Sequence, residues 1–259
     1  MPHAPRRRIW DRVAHRLSPF VFRRDAQICS GGIVSFTFDD FPRSAYRCGG
    51  AILSSHGMQG TYYACFDLAG RADETGEFFL TSDVDPLMRE GHELASHTFS
   101  HRSQLLHGPA TIRWELERND IACRELAPGV ALRNFAYPYG LVSPLFKLNA
   151  GRRFASARGT RPGINLGTID LNDLKASPLY ATTSPSDVAA IIAENARQGG
   201  WLIFVTHEVC DAPSKFGCTP RQFEAAVKAT KAAGSPVLTI DNALRCLTTA
   251  SGGPVGRDQ

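Results

Sequence analysis

The sequence has little of what membrane spans, disulfide frameworks and cysteine metal sites require. Its 259 residues contain no apolar run of about eighteen residues, so we expect no transmembrane helix. Its seven cysteines are scattered, odd in number and without a C-x-x-C pair, which argues against a disulfide framework and a cysteine zinc site. We expect mostly buried thiols in a reducing cytoplasm, and the bonding state of Cys210 and Cys218 stays open.

Internal repeats, low-complexity tracts and Ser/Gly/Pro-rich linkers are also absent, which favours a single domain. Hydrophobic residues make up 43% of the chain and charged residues 21%, as in soluble globular proteins. A chain of this length and composition can bury a large core without disulfides or structural metals. Single α/β barrels commonly reach this size.

Basic charge is concentrated in the first 24 residues. They hold seven arginines and one acid, so the other 235 residues of this +4 chain sum to −2 and offer no basic face for nucleic acid. Ile9, Val13 and Leu17 recur there at helical spacing, which predicts a short amphipathic helix. This segment either packs on the domain or forms a partly disordered tail, and weak contact with an anionic membrane surface is the alternative.

The same segment lacks the uninterrupted apolar stretch and the small-residue cleavage site of a secretory signal. We therefore expect a cytoplasmic location. The predicted organisation is a basic N-terminal arm over residues 1–30, one globular domain over 31–250 and a flexible C-terminal tail over 251–259.

Short apolar runs alternate with helix-like segments through the rest of the chain. The predicted strands are 32–38, 60–66, 92–96, 132–137, 154–157, 201–205 and 236–240. The predicted helices are 44–56, 82–90, 111–126, 143–149, 184–198 and 219–233. Strands that are apolar on both faces and alternate with helices are typical of parallel β/α units. The count of about seven strands fits a barrel or an open doubly wound sheet, and in either fold the chemistry belongs at the C-terminal strand ends.

Polar residues stand at those strand ends. Asp39 and Asp40 directly follow the first strand, although paired acids are also common at helix starts. His97 and His101 follow the third strand four residues apart, so both imidazoles can reach one cation. Taken alone, a histidine pair at this spacing is about as often structural, with exposed or core side chains, as it is metal-binding. His207 follows the strand at 201–205 and taken alone is as readily a core residue.

Considered together, these five residues indicate metal-assisted hydrolysis. Asp40, His97 and His101 form a set of two histidines and one carboxylate with open positions, which suits zinc or another divalent metal. Asp39 could take a proton from the bound water. His207 could give a proton to a leaving group.

The motifs resemble those of the polysaccharide deacetylases, the NodB-homology group of carbohydrate esterases (family 4-like). In order they are Thr37-Phe38-Asp39-Asp40 for T-F-D-D, His97-Thr98-Phe99-Ser100-His101 for H-[ST]-x-x-H, Tyr137-Pro138-Tyr139-Gly140 within the R-x-P-Y turn, and Val205-Thr206-His207 for L-x-H. The first two are specific and the other two are looser. The resemblance extends from about Gly32 to Leu247.

The resemblance implies a single-domain α/β fold, a distorted (β/α) barrel of about seven parallel strands. It also implies Asp39 as general base, His207 as general acid, and Asp40, His97 and His101 as ligands of one divalent metal, with zinc as the first candidate. Tyr139 would offer its backbone N–H to the oxyanion.

Three departures from the family pattern bear on the substrate. Ala136 stands where the family has the arginine that steers the base, and Arg158 or Arg161 is predicted to replace it. No tryptophan-bearing motif is recognisable, so Asp170 or Asp173 is the candidate acid that orients His207. Phe41 replaces the glycine that usually follows the two aspartates.

The expected function is therefore removal of acetyl groups from an N-acetylated or O-acetylated sugar or oligosaccharide, with a metal-bound water as nucleophile. Two alternatives stay open at this point. One is a hydrolase of another amide substrate on the same fold. The other is a non-catalytic carbohydrate-binding protein.

Overall fold

The protein is built from twelve short strands and seven helices within the residues that the computed structural model describes, 17–28, 31–73, 76–103 and 107–249. The strands are β1 Asp25–Ile28, β2 Ile33–Asp40, β3 Thr61–Ala64, β4 Ala72–Asp73, β5 Gly76–Glu77, β6 Glu93–Ser96, β7 Asn134–Ala136, β8 Ser156–Arg158, β9 Thr168–Asp170, β10 Ser177–Pro178, β11 Trp201–Thr206 and β12 Leu247–Thr249. The helices are α1 Ala51–Ser55, α2 Thr81–Arg89, α3 Pro109–Leu126, α4 Pro144–Arg153, α5 Pro185–Gln198, α6 Pro220–Ala232 and α7 Ile240–Leu244. A π-helix, Ala45–Gly50, runs into α1, and 3₁₀ turns form at Ser18–Phe20, Phe66–Leu68 and Pro138–Gly140.

Seven strands form one parallel sheet in the order β10-β11-β2-β3-β6-β7-β8. The sheet curls into a half-barrel with helices on its outer face, and the predicted barrel-type fold is thereby confirmed. Alternate strand residues face opposite sides. Phe36 and Phe38 of β2 pack in the core beneath the helices, whereas Tyr63, Ala95 and Ala136 belong to the second core, inside the curl.

The gap between the two edge strands is closed by an irregular segment. The N–H of Ala157 in β8 donates to the carbonyl of Leu171 at 2.7 Å, and the N–H of Leu174 donates back to Ala157 at 2.9 Å. The same segment then enters β10, which pairs with β11. Residues 171–178 therefore connect the edges of the sheet without a strand of regular length.

The strand predicted over residues 236–240 is wrong. Val237 forms only an isolated bridge with Val34, and Thr239 begins helix α7, where its side chain accepts a hydrogen bond from Asn242 N–H. A threonine in extended conformation whose side chain accepts from the third residue on is a typical N-cap. The seventh strand of the sheet is β10 instead, which at two residues, one of them proline, is too short to predict.

A second sheet, antiparallel and three-stranded, has the order β12-β1-β9. Its central strand β1 falls within the predicted N-terminal arm. Just before it, the carbonyl of Ser18 accepts a hydrogen bond from the buried Lys147 ammonium at 2.6 Å, and Arg24 donates to carbonyls at the end of α4. Lys147 also forms an ion pair with Asp170. Residues 18–28 thus pack on the domain.

The amphipathic helix predicted from Ile9, Val13 and Leu17 and the predicted tail over 251–259 lie almost wholly outside the described residues, and the domain bounds stay a prediction. None of the described helices has both the length and the apolar character that a membrane span requires. The six described cysteines are free thiols. Cys210 and Cys218 meet through their backbones, at 3.2 Å from N–H to carbonyl.

Candidate active site

The three predicted metal ligands lie together at the C-terminal ends of two strands that β3 separates in the sheet. Asp40 ends β2, and His97 and His101 follow β6. The Nε2 atoms of His97 and His101 lie 3.4 and 3.3 Å from Asp40 Oδ1, and all three ligand atoms lie within 4.8 Å of one another. His207, after β11, has its Nε2 atom 3.7 Å from the other oxygen of Asp40.

This cluster fits a divalent cation. Asp40 Oδ1 is buried and has no hydrogen-bond partner in the described part of the chain, an expensive state for a carboxylate oxygen unless a cation completes it. Burial lowers the pKa of both His97 and His101 to about 4, so near pH 7 each imidazole is neutral and keeps a lone pair for a metal. The Nδ1 atom of His97 lies 2.8 Å from the carbonyl of Ala136, and this contact turns Nε2 toward Asp40.

Backbone strain is concentrated around the same cluster. Six non-glycine residues of the described chain have positive φ, and five of them are at this end of the sheet: Asp40 (62°), Phe41 (56°), Thr98 (65°), His101 (57°) and Tyr139 (59°). Such conformations cost about 1–3 kcal/mol each and persist only where the surroundings hold them. At Phe41, where the family has glycine, a ring stacked on Phe79 with centroids 4.5 Å apart supplies that support.

Asp39 lies beside the cluster and is gripped by Arg158. The Nη1 atom of Arg158 donates to Asp39 Oδ2 at 3.2 Å, and Nη2 donates to Oδ1. Burial alone would raise the pKa of Asp39, but the charge of Arg158, aided by His97 and His207, outweighs it and lowers this pKa to about 2. The carboxylate is therefore held ionised.

The guanidinium reaches Asp39 from the strand next to the one that the family uses. Arg158 of β8 is the direct partner of Ala136 of β7 in the sheet register, so both side chains face the interior. Arg158 is fully buried, and its guanidinium carbon lies 4.4 Å from the centre of the Tyr63 ring. Tyr63 was not among the site residues predicted from the sequence. Arg161 is placed differently: it is 44% exposed and forms an ion pair with Asp173 at 3.3 Å.

Among the described residues, no acid contacts the second ring nitrogen of His207. Its Nδ1 atom is buried without a hydrogen bond from the described residues, and its ring packs against Phe216 with centroids 5.4 Å apart. Asp170 accepts from Arg24 N–H at 3.0 Å and pairs with Lys147, and Asp173 pairs with Arg161. The structure therefore does not bring either predicted acid to His207.

Tyr139 closes one side of the site. Its ring centroid lies 4.4 Å from that of His101, and it lines a polar cleft of about 200 Å³ together with Thr160, Arg161 and Asp173. The cleft offers a hydroxyl, a carboxylate and a guanidinium within one small volume. Such a lining suits a hydroxyl-rich ligand.

Residues 29–153 match the family model described as polysaccharide deacetylase. Over these residues the chain is similar to the polysaccharide deacetylase family. The predicted resemblance is thereby confirmed, and the motifs at Asp39–Asp40 and His97–His101 lie within the matched range. No curated protein matches the chain significantly.

Solved structures share the polysaccharide deacetylase fold at low sequence identity. A family 4 acetyl xylan esterase from Clostridium thermocellum, in complex with a cobalt ion, is 19% identical, with a TM-score of 0.57 and coverage of 82% of this chain and 90% of that one. A peptidoglycan N-acetylglucosamine deacetylase is 16% identical, with a TM-score of 0.55 and coverage of 84% and 90%. Bacillus subtilis PdaA, a family 4 carbohydrate esterase, is 13% identical, with a TM-score of 0.55 and coverage of 91% and 88%.

Proposed function

We propose that this protein is a metal-dependent hydrolase that removes acetyl groups from an N-acetylated or O-acetylated sugar or oligosaccharide. One observation carries the proposal: an Asp40 oxygen with no hydrogen-bond partner among the described residues faces two buried imidazoles, while Arg158 pairs with the adjacent Asp39. The proposed metal ligands Asp40, His97 and His101 therefore lie next to a separate general base, Asp39. Metal-assisted hydrolysis requires that pairing.

Asp40, His97 and His101 would hold the metal, and we propose zinc first because two imidazoles and one carboxylate suit it. When bound, a divalent metal would polarise the acetyl carbonyl and lower the pKa of the attacking water. The acetyl xylan esterase with a similar fold holds a cobalt ion.

The side chains of the protein would then carry the proton transfers. Asp39 takes the proton from the attacking water, and Arg158 keeps this carboxylate oriented and unprotonated beforehand. The backbone N–H of Tyr139 donates to the oxygen that gains charge as the carbonyl carbon becomes tetrahedral. His207 gives a proton to the departing sugar nitrogen or oxygen as its bond to the acetyl carbon breaks, which yields acetate and a free amine or hydroxyl.

The cleft beside Tyr139 supports a carbohydrate as the substrate. Its carboxylate and guanidinium, from Asp173 and Arg161, can accept from and donate to the hydroxyls of a sugar ring. Solved proteins with this fold are named for both O-acetyl and N-acetyl substrates, an acetyl xylan esterase and a peptidoglycan N-acetylglucosamine deacetylase. Both linkages are therefore included in the proposal.

Acetate release tests the proposal directly. The purified protein, loaded with Zn²⁺ or Co²⁺, is incubated with N-acetylglucosamine oligomers, O-acetylated xylan and acetylated monosaccharides, and a chelated sample serves as the control. Metal-dependent acetate from any of them supports the proposal. Release of a different acid or amine would indicate another amide substrate, and binding of sugar without turnover would indicate a carbohydrate-binding protein.

A cytoplasmic location and weak contact of the arginine-rich first 24 residues with an anionic membrane surface remain proposals from the sequence. The support for the location is the lack of a secretory signal pattern in those residues, and the support for membrane contact is their excess of six positive charges with apolar residues between them. Sedimentation with anionic and neutral vesicles would separate surface contact from no contact.

A further inference from the structure

Helix α3 places two polar residues in an otherwise apolar buried face. Glu115 and Asn119 are both fully buried and lie four residues apart, so they are neighbours on the helix surface. They lie beside Ile112 and Leu116, the residues that define the apolar stripe of this helix. A buried carboxylate and a buried amide in such a stripe require partners. Glu115 has its partner on the loop that carries the metal-site histidines. Asn119 bonds to Ala64 and Phe66 around the end of β3 and to Ser96, which ends β6 just before that loop.

Each of these residues holds the serine that precedes one histidine. The Nδ2 atom of Asn119 donates to Ser96 Oγ at 3.1 Å, and His97 follows. Glu115 accepts from both Ser100 N–H and Ser100 Oγ, each at 2.7 Å, and His101 follows. The four-residue spacing of the helix pair thus matches the four-residue spacing of the serines.

The two histidines depend on this support to different degrees. His97 has anchors of its own, because its Nδ1 atom contacts the Ala136 carbonyl and its N–H donates to the Ala64 carbonyl at 3.1 Å. His101 has a left-handed backbone, and its ring contacts Asp40 and packs on Tyr139. The direction of its ring therefore follows from where the loop backbone is fixed.

We propose that Glu115, supported by Asn119, is the positioning residue that fixes His101 for metal binding. The inference rests on the proposed metal site and extends it to a helix outside the predicted motifs. Glu115 holds the backbone at Ser100 through two short charge-assisted hydrogen bonds, and Arg102 adds an ion pair at 3.5 Å. Without this grip the strained conformations at Thr98 and His101 can relax, and Nε2 of His101 moves away from Asp40.

Metal affinity separates this role from plain structural support. Cobalt is titrated into the metal-free full-length protein, and its visible absorption reports both affinity and ligand geometry. We expect Glu115→Ala to weaken binding by roughly 10- to 100-fold and to change the spectrum, the range usual for residues that orient metal ligands. Glu117→Ala, the same change at an exposed position of the same helix, is the matched control and should leave both unchanged.

Two further variants keep the test decisive if Glu115→Ala folds poorly. Glu115→Gln retains one acceptor and one donor for Ser100, so it should restore most of the affinity. Ser100→Ala removes the hydroxyl from the loop side without altering the helix, and should weaken cobalt binding by a smaller factor than Glu115→Ala.

The inference is overturned if Glu115→Ala and Ser100→Ala bind cobalt with wild-type affinity and spectrum, whatever their stability. If the wild-type protein itself binds no metal, the proposed function fails together with it. The wild-type titration therefore distinguishes the two failures.

Discussion

The two ends of the parallel sheet both bury carboxylates, but they treat them differently. At the N-terminal end, Glu93 of β6 accepts from Thr61 Oγ1 at 2.9 Å, from Asn134 Nδ2 at 2.6 Å and from Asp241 N–H at 2.9 Å. At the C-terminal end, Asp40 keeps one oxygen without a partner from the described residues and has a left-handed backbone. One carboxylate is fully hydrogen-bonded and the other is not.

This difference indicates that the Glu93 end of the sheet stabilises the fold and that the Asp40 end serves function. The bonds to Glu93 join β6 to β3, β7 and the start of helix α7, so that end holds elements together. The end that carries Asp40 concentrates an unsatisfied oxygen and five strained residues, features that persist in a folded protein mainly where chemistry or binding needs them. In parallel α/β proteins the C-terminal strand ends are also where active sites form.

The largest expected effect comes from removing the ligands at the C-terminal end. His97→Ala and His101→Ala should each abolish metal binding and acetate release while the far-UV circular dichroism stays that of the wild type. The reason is that a site of three protein ligands cannot retain a metal tightly with two. Elemental analysis checks this, and a stoichiometric metal in the double variant would contradict the ligand assignment.

Next in size is the loss of the base. Asp39→Asn should keep the metal and lower kcat by about 10²–10⁴, because the amide cannot accept the proton from water. Metal content and acetate release are measured on the same sample. Loss of metal in this variant would mean that Asp39 and Asp40 share or exchange their roles.

Loss of Arg158 should lower kcat less than loss of Asp39, the base that it holds. Arg158→Ala is expected to lower kcat roughly 10- to 100-fold. It should also move the acidic limb of the pH profile to higher pH, because Asp39 loses the charge that lowers its pKa. The double variant Ala136→Arg/Arg158→Ala returns a guanidinium to the neighbouring strand position and should recover part of kcat.

Arg161→Ala is the matched control for that experiment. Since Arg161 lines the polar cleft and contacts Asp173, its loss should mainly raise KM and leave the acidic limb in place. A displaced acidic limb in Arg161→Ala, or unchanged kinetics in Arg158→Ala, would exclude Arg158 as the residue that steers the base.

The smallest effect on activity is expected at the opposite end. Burial raises the pKa of Glu93 from its ordinary value of 4.5 to about 7, although three hydrogen bonds act to lower it. Between those two values the folded state binds more protons than the unfolded state, so this group contributes less stability as pH rises from 4.5 to 7. The stability of the wild type relative to Glu93→Gln should therefore fall over that window.

Denaturant unfolding of both proteins in chelator from pH 5 to 8 measures this difference. Acetate release by metal-loaded Glu93→Gln should stay within about twofold of the wild type, since Glu93 only supports the fold. A relative stability that rises with pH, or a large loss of turnover, would remove the distinction between the two ends.

Much of the fold could be predicted from the hydrophobic periodicity and the composition of the sequence. Long apolar runs such as 33–38 and 201–205 predicted β2 and β11, and the helix predicted at 111–126 is α3 with two more residues at its start. The predictions failed where an element is short or stabilised by distant residues. β10 has two residues, and β1 and β9 exist because they pair across more than 140 residues of chain.

For the site, the sequence placed Asp40, His97 and His101 at C-terminal strand ends that meet at one edge, because parallel strands share a direction, although β3 separates their two strands. Arg158 was one of two candidates that the sequence could not separate. Glu115 was missed, although a glutamate inside an apolar helical stripe is a usable signal. The predicted partners of His207 failed because Asp170 and Asp173 pair with Lys147 and Arg161, and such pairings depend on tertiary packing.

The packing of residues 18–28 has a practical consequence for anyone who shortens this chain. β1 is the middle strand of its sheet, so a version that starts at residue 31 would open the edges of both β9 and β12 to pairing with other molecules. It would also remove the carbonyl of Ser18 from the buried ammonium of Lys147. A protein trimmed to the family motifs would therefore be prone to self-association before its catalysis could be measured.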